Sequence, residues 1–213
     1  MVADRTLLYY ITDRAAFSGS EPERRRVLLG KIGEAARAGV DYVQLREKDL
    51  PSRELEFLAR DVVSMIRGVA GSRTRFLINS RTDVALAVRA DGVHLRSEDV
   101  ACSDVRAAWN LSSPSAADPV IGVSCHSVSK VEQAAADLAV FGPVFGKKDA
   151  SGGCVTGLDG LRAACLMKTP VFALGGVTLE NFPSCIEVGA AGIAGIRLFQ
   201  ENDIAAVVRA IRG

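Results

Sequence analysis

The chain has 213 residues, 48% of them hydrophobic and 24% charged, with a formal net charge of +1. That length supports a single α/β domain, 1–213, with a sizeable core. The near-neutral balance excludes nucleic-acid or membrane-surface binding driven by bulk charge, and leaves room for a local basic pocket.

No apolar run approaches the roughly 20 residues of a membrane span. Charges interrupt the apolar stretch of the N-terminal MVADRTLLYYITDR, so it lacks a signal-peptide pattern and a cytoplasmic protein is expected. The five cysteines, Cys102, Cys125, Cys154, Cys165 and Cys185, are odd in number, scattered and without a CxxC pair. Neither a zinc site nor a disulfide framework is indicated, and most of them read as small buried hydrophobes.

In chain order, the first β-type run is Leu7–Thr12, ending at Thr12-Asp13. An amphipathic stretch, Arg24–Arg37, follows. The second run, Tyr42–Arg46, leads into VQLREKD, whose alternation puts Gln44, Arg46 and Lys48 on one parity and Val43, Leu45 and Glu47 on the other. Helical pattern returns at Arg53–Ile66. The third run, Arg75–Asn79, ends in Asn79-Ser80-Arg81. The fourth, Gly92–Leu95, is followed by Arg96-Ser97-Glu98-Asp99. Leu111–Pro119 is polar and Pro-rich and reads as a loop.

The fifth run, Val120–Ser124, ends in Ser124-Cys125-His126, with helical pattern at Val131–Ala136. The sixth, Leu138–Phe141, precedes a Gly-rich basic segment, Gly146–Thr156, that carries Lys147 and Lys148 and reads as a mobile active-site loop. Leu158–Cys165 is amphipathic. The seventh run, Val171–Leu174, ends in Gly175-Gly176, and Phe182–Val188 follows. The eighth, Gly192–Ile196, ends at Arg197 before a last amphipathic stretch, Ile204–Ile211.

Eight apolar strands alternating with helices imply a parallel sheet covered by helices, and closure into a (β/α)8 TIM barrel is the natural solution. A doubly wound open sheet is the runner-up, weakened because no GxGxxG follows the first strand. Barrel active sites lie at the C-terminal strand ends, so the polar residues there are expected to converge on one mouth. Several arginines and lysines would make it cationic, suited to phosphate or diphosphate. Gly175-Gly176 and the turn after the eighth strand suit a phosphate held by backbone N–H groups. A magnesium ion could bridge diphosphate oxygens to Asp99.

Plainer readings stand beside these. His94 alternates with apolar neighbours and reads as a structural histidine, and His126 could be structural too. Asp99 could cap the following helix. Asp83 and Asp91 read as surface or capping residues, Lys147 and Lys148 as a solvated loop. Nothing evident activates Cys125 as a nucleophile.

The stretches YYITD (9–13), GVDYVQLREKDL (39–50), INSRTDVALAVRADGVHL (78–95) with SED behind it, IGVSCHS (121–127), FGPVF (141–145), ALGGVTLEN (173–181) and VGAAGIAGI (188–196) occur in this order. With them the chain resembles, over nearly its whole length, the thiamine phosphate synthases and their thiazole tautomerase relatives. The resemblance implies a transferase that joins hydroxymethylpyrimidine diphosphate to a thiazole phosphate and releases pyrophosphate with Mg2+. Gln44, Arg46, Lys48 and Asn79 match diphosphate-binding residues, Asp99 a magnesium ligand, Ser124 a residue near the pyrimidine, and Gly176 the glycine at the thiazole phosphate. Arg46, Lys48, Ser124 and His126 are then expected to carry the chemistry. Lys147, Lys148 and Arg197 join the substrate-binding set. The partners would be these small molecules, with no nucleic acid and no membrane; self-association is left open.

Three departures from that pattern bear on function. Ser80 stands where synthases usually carry a second magnesium-binding aspartate. GKKDASGG replaces a Thr- and Pro-rich stretch ending in a lysine, so Lys147 or Lys148 would take its role. Arg197 stands where a serine usually contacts phosphate. Loss of the aspartate is a feature of the tautomerases, metal-independent isomerases whose acid-base histidine His126 matches, although His126 is also common in synthases. The retained Gln44, Arg46, Lys48 and Asp99 favour the synthase. The alternatives are the tautomerase and a diverged phosphate-ligand binding protein.

Overall fold

The computed structural model describes residues 5–112, 117–146 and 155–213. Eight parallel strands pair in sequence order and close on themselves: β1 (Leu7–Ile11), β2 (Tyr42–Leu45), β3 (Arg75–Asn79), β4 (Gly92–Leu95), β5 (Val120–Cys125), β6 (Leu138–Phe141), β7 (Val171–Ala173) and β8 (Gly192–Gly195). The helices are α1 (Glu21–Ala38), α2 (Ser52–Arg67), α3 (Thr82–Val88), α4 (Cys102–Ser112), α5 (Val128–Gln133), α6 (Gly157–Cys165), α7 (Phe182–Glu187), α8 (Arg197–Gln200) and α9 (Ile204–Arg212). This is a (β/α)8 barrel.

Strand alternation builds two cores. One parity fills the lumen with Tyr9, Ile11, Leu77, Leu138, Val140, Phe172 and Ala194. The other faces the helices, with Leu8, Tyr10, Val43, Leu45, Phe76, Ile78, Val93 and Ile121 packing on α1 and α2 residues such as Leu28, Ile32, Leu58 and Val62. The lumen is a packed core rather than a pore, so ligands are confined to its rim.

The strands lie within a residue of the sequence pattern. Three helices, α3, α4 and α8, emerge from segments with no clear amphipathic signal. Helix α4 runs through Leu111 and Ser112, so the polar segment expected as a loop begins later than its composition suggests. Helix α5 starts three residues before the expected Val131, because Ser127 caps it by accepting from the Lys130 N–H. No helix among the described residues is long and apolar enough to cross a membrane.

Candidate active site

The C-terminal strand ends gather two groups of polar residues. The first lies beyond β2, β3 and β4. Arg46 is half-buried, and its backbone N–H donates to Thr12 Oγ1 at 3.0 Å. Lys48 is exposed in the following turn. The Arg46 guanidinium, then partial burial, then Arg96 push its ammonium below the usual lysine range, against the pull of Asp13. Arg46 and Arg96 therefore both bear on Lys48, and the three make a cation cluster. Lys48, Asn79, Ser80 and Arg96 line a cavity of about 200 Å³.

Asp99 anchors this group and does not cap α4. Its Oδ2 accepts from the Ser80 hydroxyl at 2.6 Å and the Arg96 backbone N–H at 2.8 Å. Its Oδ1 accepts from the Arg96 guanidinium at 3.1 and 2.8 Å. Burial pushes the Asp99 carboxyl up, and these hydrogen bonds outweigh it, so the group stays below the usual range. Asn79 Nδ2 donates to Ser80 Oγ at 3.2 Å. Ser80 sits in the left-handed region at φ 61°, uncommon for serine, which aims its hydroxyl at Asp99.

The second group lies beyond β7 and β8. Asp13, Gly175, Gly176, Thr178, Ile196 and Arg197 border a cavity of about 690 Å³. Gly176 has φ 65°, and a Cβ there would sit 2.7 Å from the Phe145 carbonyl oxygen, so the turn needs glycine on two counts. Exposed Arg197 opens α8 at the cavity edge. Gln200 clamps α8 to the end of β1, accepting from the Asp13 N–H at 2.7 Å and donating to the Asp13 carbonyl at 2.9 Å.

Between these groups lie Ser124 and His126. Ser124 Oγ meets His94 Nε2 at 2.9 Å. His126 is exposed, and its Nδ1 donates to the Gly142 carbonyl at 2.7 Å, which leaves Nε2 free as a base. Gln44 differs from its expected place. It is 1% exposed, down in the lumen, and its Nε2 donates to Tyr9 Oη at 3.1 Å. Lys147 and Lys148 lie outside the described residues. Burial pushes the Cys125 thiol up to about 11, so it is no thiolate nucleophile at neutral pH.

The profile of the thiamine monophosphate synthase family matches residues 8–199. The chain belongs to this family. A Geobacter sulfurreducens protein, whose thiamine-phosphate synthase name is itself provisional, is 42% identical over 193 residues, covering 88% of this chain and 83% of its own. A thiamine-phosphate synthase of Methanoculleus marisnigri is 36% identical over 213 residues, covering 96% and 93%. Among solved structures, the thiamine phosphate pyrophosphorylase of Pyrococcus furiosus is similar at 29% identity and a TM-score of 0.74, over 96% of this chain and 93% of its own.

Three features of this family member escape motif reading. Arg96 is visible in the sequence as a charge three residues before Asp99, a spacing that allows the ion pair. The Tyr9–His94 contact has no linear signal, because β1 and β4 meet only across the lumen. Arg14 is 4% exposed and shared among Glu21, Glu47 and Asp49 at 2.8, 3.1 and 2.7 Å. Glu47 also accepts from Thr12 Oγ1 at 2.5 Å, pinning the ends of β1 and β2 where Arg46 emerges.

Proposed function

We propose that this chain, working as one barrel domain of residues 1–213, couples hydroxymethylpyrimidine diphosphate to thiazole phosphate and releases pyrophosphate. The observation that carries this reading is the pair of anion-suited cavities at the strand ends. One has Lys48 and Arg96 in its wall with Arg46 within electrostatic reach; the other has the Gly175-Gly176 turn and Arg197. Two negatively charged substrates need two such places.

Arg46, Lys48, Asn79 and Arg96 hold the diphosphate, and Gly176 and Arg197 the phosphate. As the C–O bond to diphosphate breaks, charge grows on the departing oxygen. Fixed cations stabilise that state more than the ground state. The electron-rich aminopyrimidine carries the methylene cation near Ser124. The thiazole ring nitrogen then forms the C–N bond, with no protein nucleophile. Orientation between the two cavities supplies much of the remainder.

The donor set suits magnesium, a hard cation that takes one or two carboxylates along with substrate phosphates. Asp99 would hold it with Ser80 as a neutral oxygen beside it, once Arg96 turns off the carboxylate. Bound there, Mg2+ would neutralise charge on the diphosphate. Incubating the purified protein with both substrates and Mg2+ should give thiamine phosphate. No product above a no-enzyme control overturns the proposal.

A second reading, a metal-independent thiazole tautomerase, draws on Ser80 and on the free Nε2 of His126. It expects isomerisation of the thiazole tautomer in EDTA, abolished in His126→Ala. Unchanged turnover in that variant removes its basis.

A further inference from the structure

The lumen beneath the mouth holds a row of polar groups that leads up to Ser124 and has no direct part in the coupling reaction below that serine. Gln44 Nε2 donates to Tyr9 Oη at 3.1 Å, Tyr9 Oη meets His94 Nδ1 at 3.0 Å, and His94 Nε2 meets Ser124 Oγ at 2.9 Å. Four strands, β1, β2, β4 and β5, contribute one residue each. Tyr9 is 0% and His94 1% exposed, with rings edge-on at 5.7 Å. Gly122 makes the room: a Cβ there would lie 2.7 Å from His94 Nδ1. A barrel interior this dry retains polar groups only where each is satisfied.

Satisfaction fixes the direction of the row. Burial first, then the field of Arg46, push the His94 imidazole down to about 3, so the ring is neutral at working pH and carries a single N–H. Burial also holds the Tyr9 phenol protonated. The Gln44 amide already donates into the Tyr9 oxygen. If His94 carried its proton on Nδ1, Tyr9 would receive two donors. Among the described residues, its own proton would then have no acceptor. The satisfied arrangement runs from the Gln44 N–H to Tyr9 Oη, from the Tyr9 O–H to His94 Nδ1, and from the His94 Nε2–H to Ser124 Oγ. The Ser124 proton is then free for the mouth.

We propose that Gln44, Tyr9 and His94 are positioning residues that orient the Ser124 hydroxyl as a hydrogen-bond donor toward the substrate. The site then selects a ligand that presents an acceptor, such as an unprotonated ring nitrogen, at that point. A substrate offering an N–H there would have to reach the second lone pair of the Ser124 oxygen and would leave the serine proton without an acceptor. This deepens the coupling reading and rests on it. It also takes Gln44 from the diphosphate and gives it to the row.

Nitrogen-15 NMR of histidine-labelled full-length protein reads the tautomer without any turnover. His94 should show Nε2–H and a bare Nδ1, unchanged across the neutral pH range, and Tyr9→Phe should abolish that single-tautomer signature. An Nδ1–H tautomer in the wild type overturns the proposal. In the coupling assay, Tyr9→Phe and Ser124→Ala should each lower kcat/KM about tenfold, and the double variant should be no worse than the weaker single one. Ser124→Thr, which keeps the hydroxyl, should recover most of the loss. Losses that multiply to about a hundredfold overturn the positioning role. A wild type without product overturns the coupling reading, and the tautomer then still decides the direction of the row.

Discussion

Arg96→Ala should make magnesium more effective. In the free protein, the Arg96 guanidinium occupies Asp99 Oδ1 at 3.1 and 2.8 Å, and a metal ion must displace it. The Arg96 side chain is 61% exposed and that of Asp99 10%, so water screens one end of the pair. The pair is therefore weak, well short of a buried one, and removing that competition lowers the half-saturating Mg2+ about two- to fivefold. The measurement is a Mg2+ titration of the coupling rate at saturating diphosphate substrate. The same substitution removes a cation from the diphosphate cavity, so KM for that substrate should rise, separately from the metal effect. Loss of the guanidinium also lets the Asp99 carboxyl rise toward its ordinary range, because Arg96 is one of the groups holding it down. Metal activation should then fade at a higher pH as the solution is acidified. An unchanged or higher Mg2+ requirement in Arg96→Ala would refute the competition between arginine and metal.

The depressed Lys48 ammonium loses its proton at lower pH than an ordinary lysine, so diphosphate affinity should fall as pH rises into that range. Arg46→Ala removes the largest cause and should move this alkaline limb upward in pyrophosphate-binding calorimetry; a limb that stays put contradicts the cluster. Gly176→Ala puts a Cβ against the Phe145 carbonyl at φ 65° and should raise KM for the phosphate substrate while leaving pyrophosphate binding intact, with about 1–3 kcal/mol lost in denaturant unfolding. Arg14→Met strands the Glu47 carboxylate, whose side chain is 1% exposed, and should cost about 3–5 kcal/mol of stability by chemical denaturation; a loss under about 1 kcal/mol would show that Glu47 reaches water.

Much of this architecture is written in the strands. Period-2 alternation places Gln44 in the lumen and Leu45 against the helices, as VQLREKD indicates. Alternation names a face, and depth depends on neighbours. Gln44 pairs in register with Ile11, below the rim, whereas Arg46 lies past the last ladder pair of β2 and reaches it. Glu47 shares the outward parity of Val43 and Leu45, and alternation alone does not say how its charge is met; it is buried because Arg14, more than thirty residues earlier, folds back over it. His94 read correctly as structural in burial, and its contact with Ser124 depends on β4–β5 register and on the missing side chain of Gly122. Arg96 was legible as a residue and not as a role, since only the turn after β4 brings its guanidinium onto Asp99.

The cation cluster also bears on why an anion would be a leaving group here rather than only an anchor. Arg46 and Arg96 both disfavour the charged form of Lys48, so with Asp13 as the one opposing carboxylate among its causes the unliganded mouth is electrostatically uncomfortable. A diphosphate relieves that repulsion, and it does so more as its charge grows during bond cleavage. The cavity beyond β7 and β8 lacks this tension: its lining combines a glycine turn with positive φ at Gly175 and Gly176, the exposed Arg197 and the carboxylates of Asp13, Glu180 and Glu201, and on the proposed reading it holds a group whose charge does not change. The asymmetry between the two cavities therefore matches the asymmetry between a bond that breaks and a phosphate that stays. Ser80 fits the same logic. Its hydroxyl satisfies Asp99 without adding negative charge, so it leaves the positive field of the first cavity undiminished where an aspartate would have added a second carboxylate.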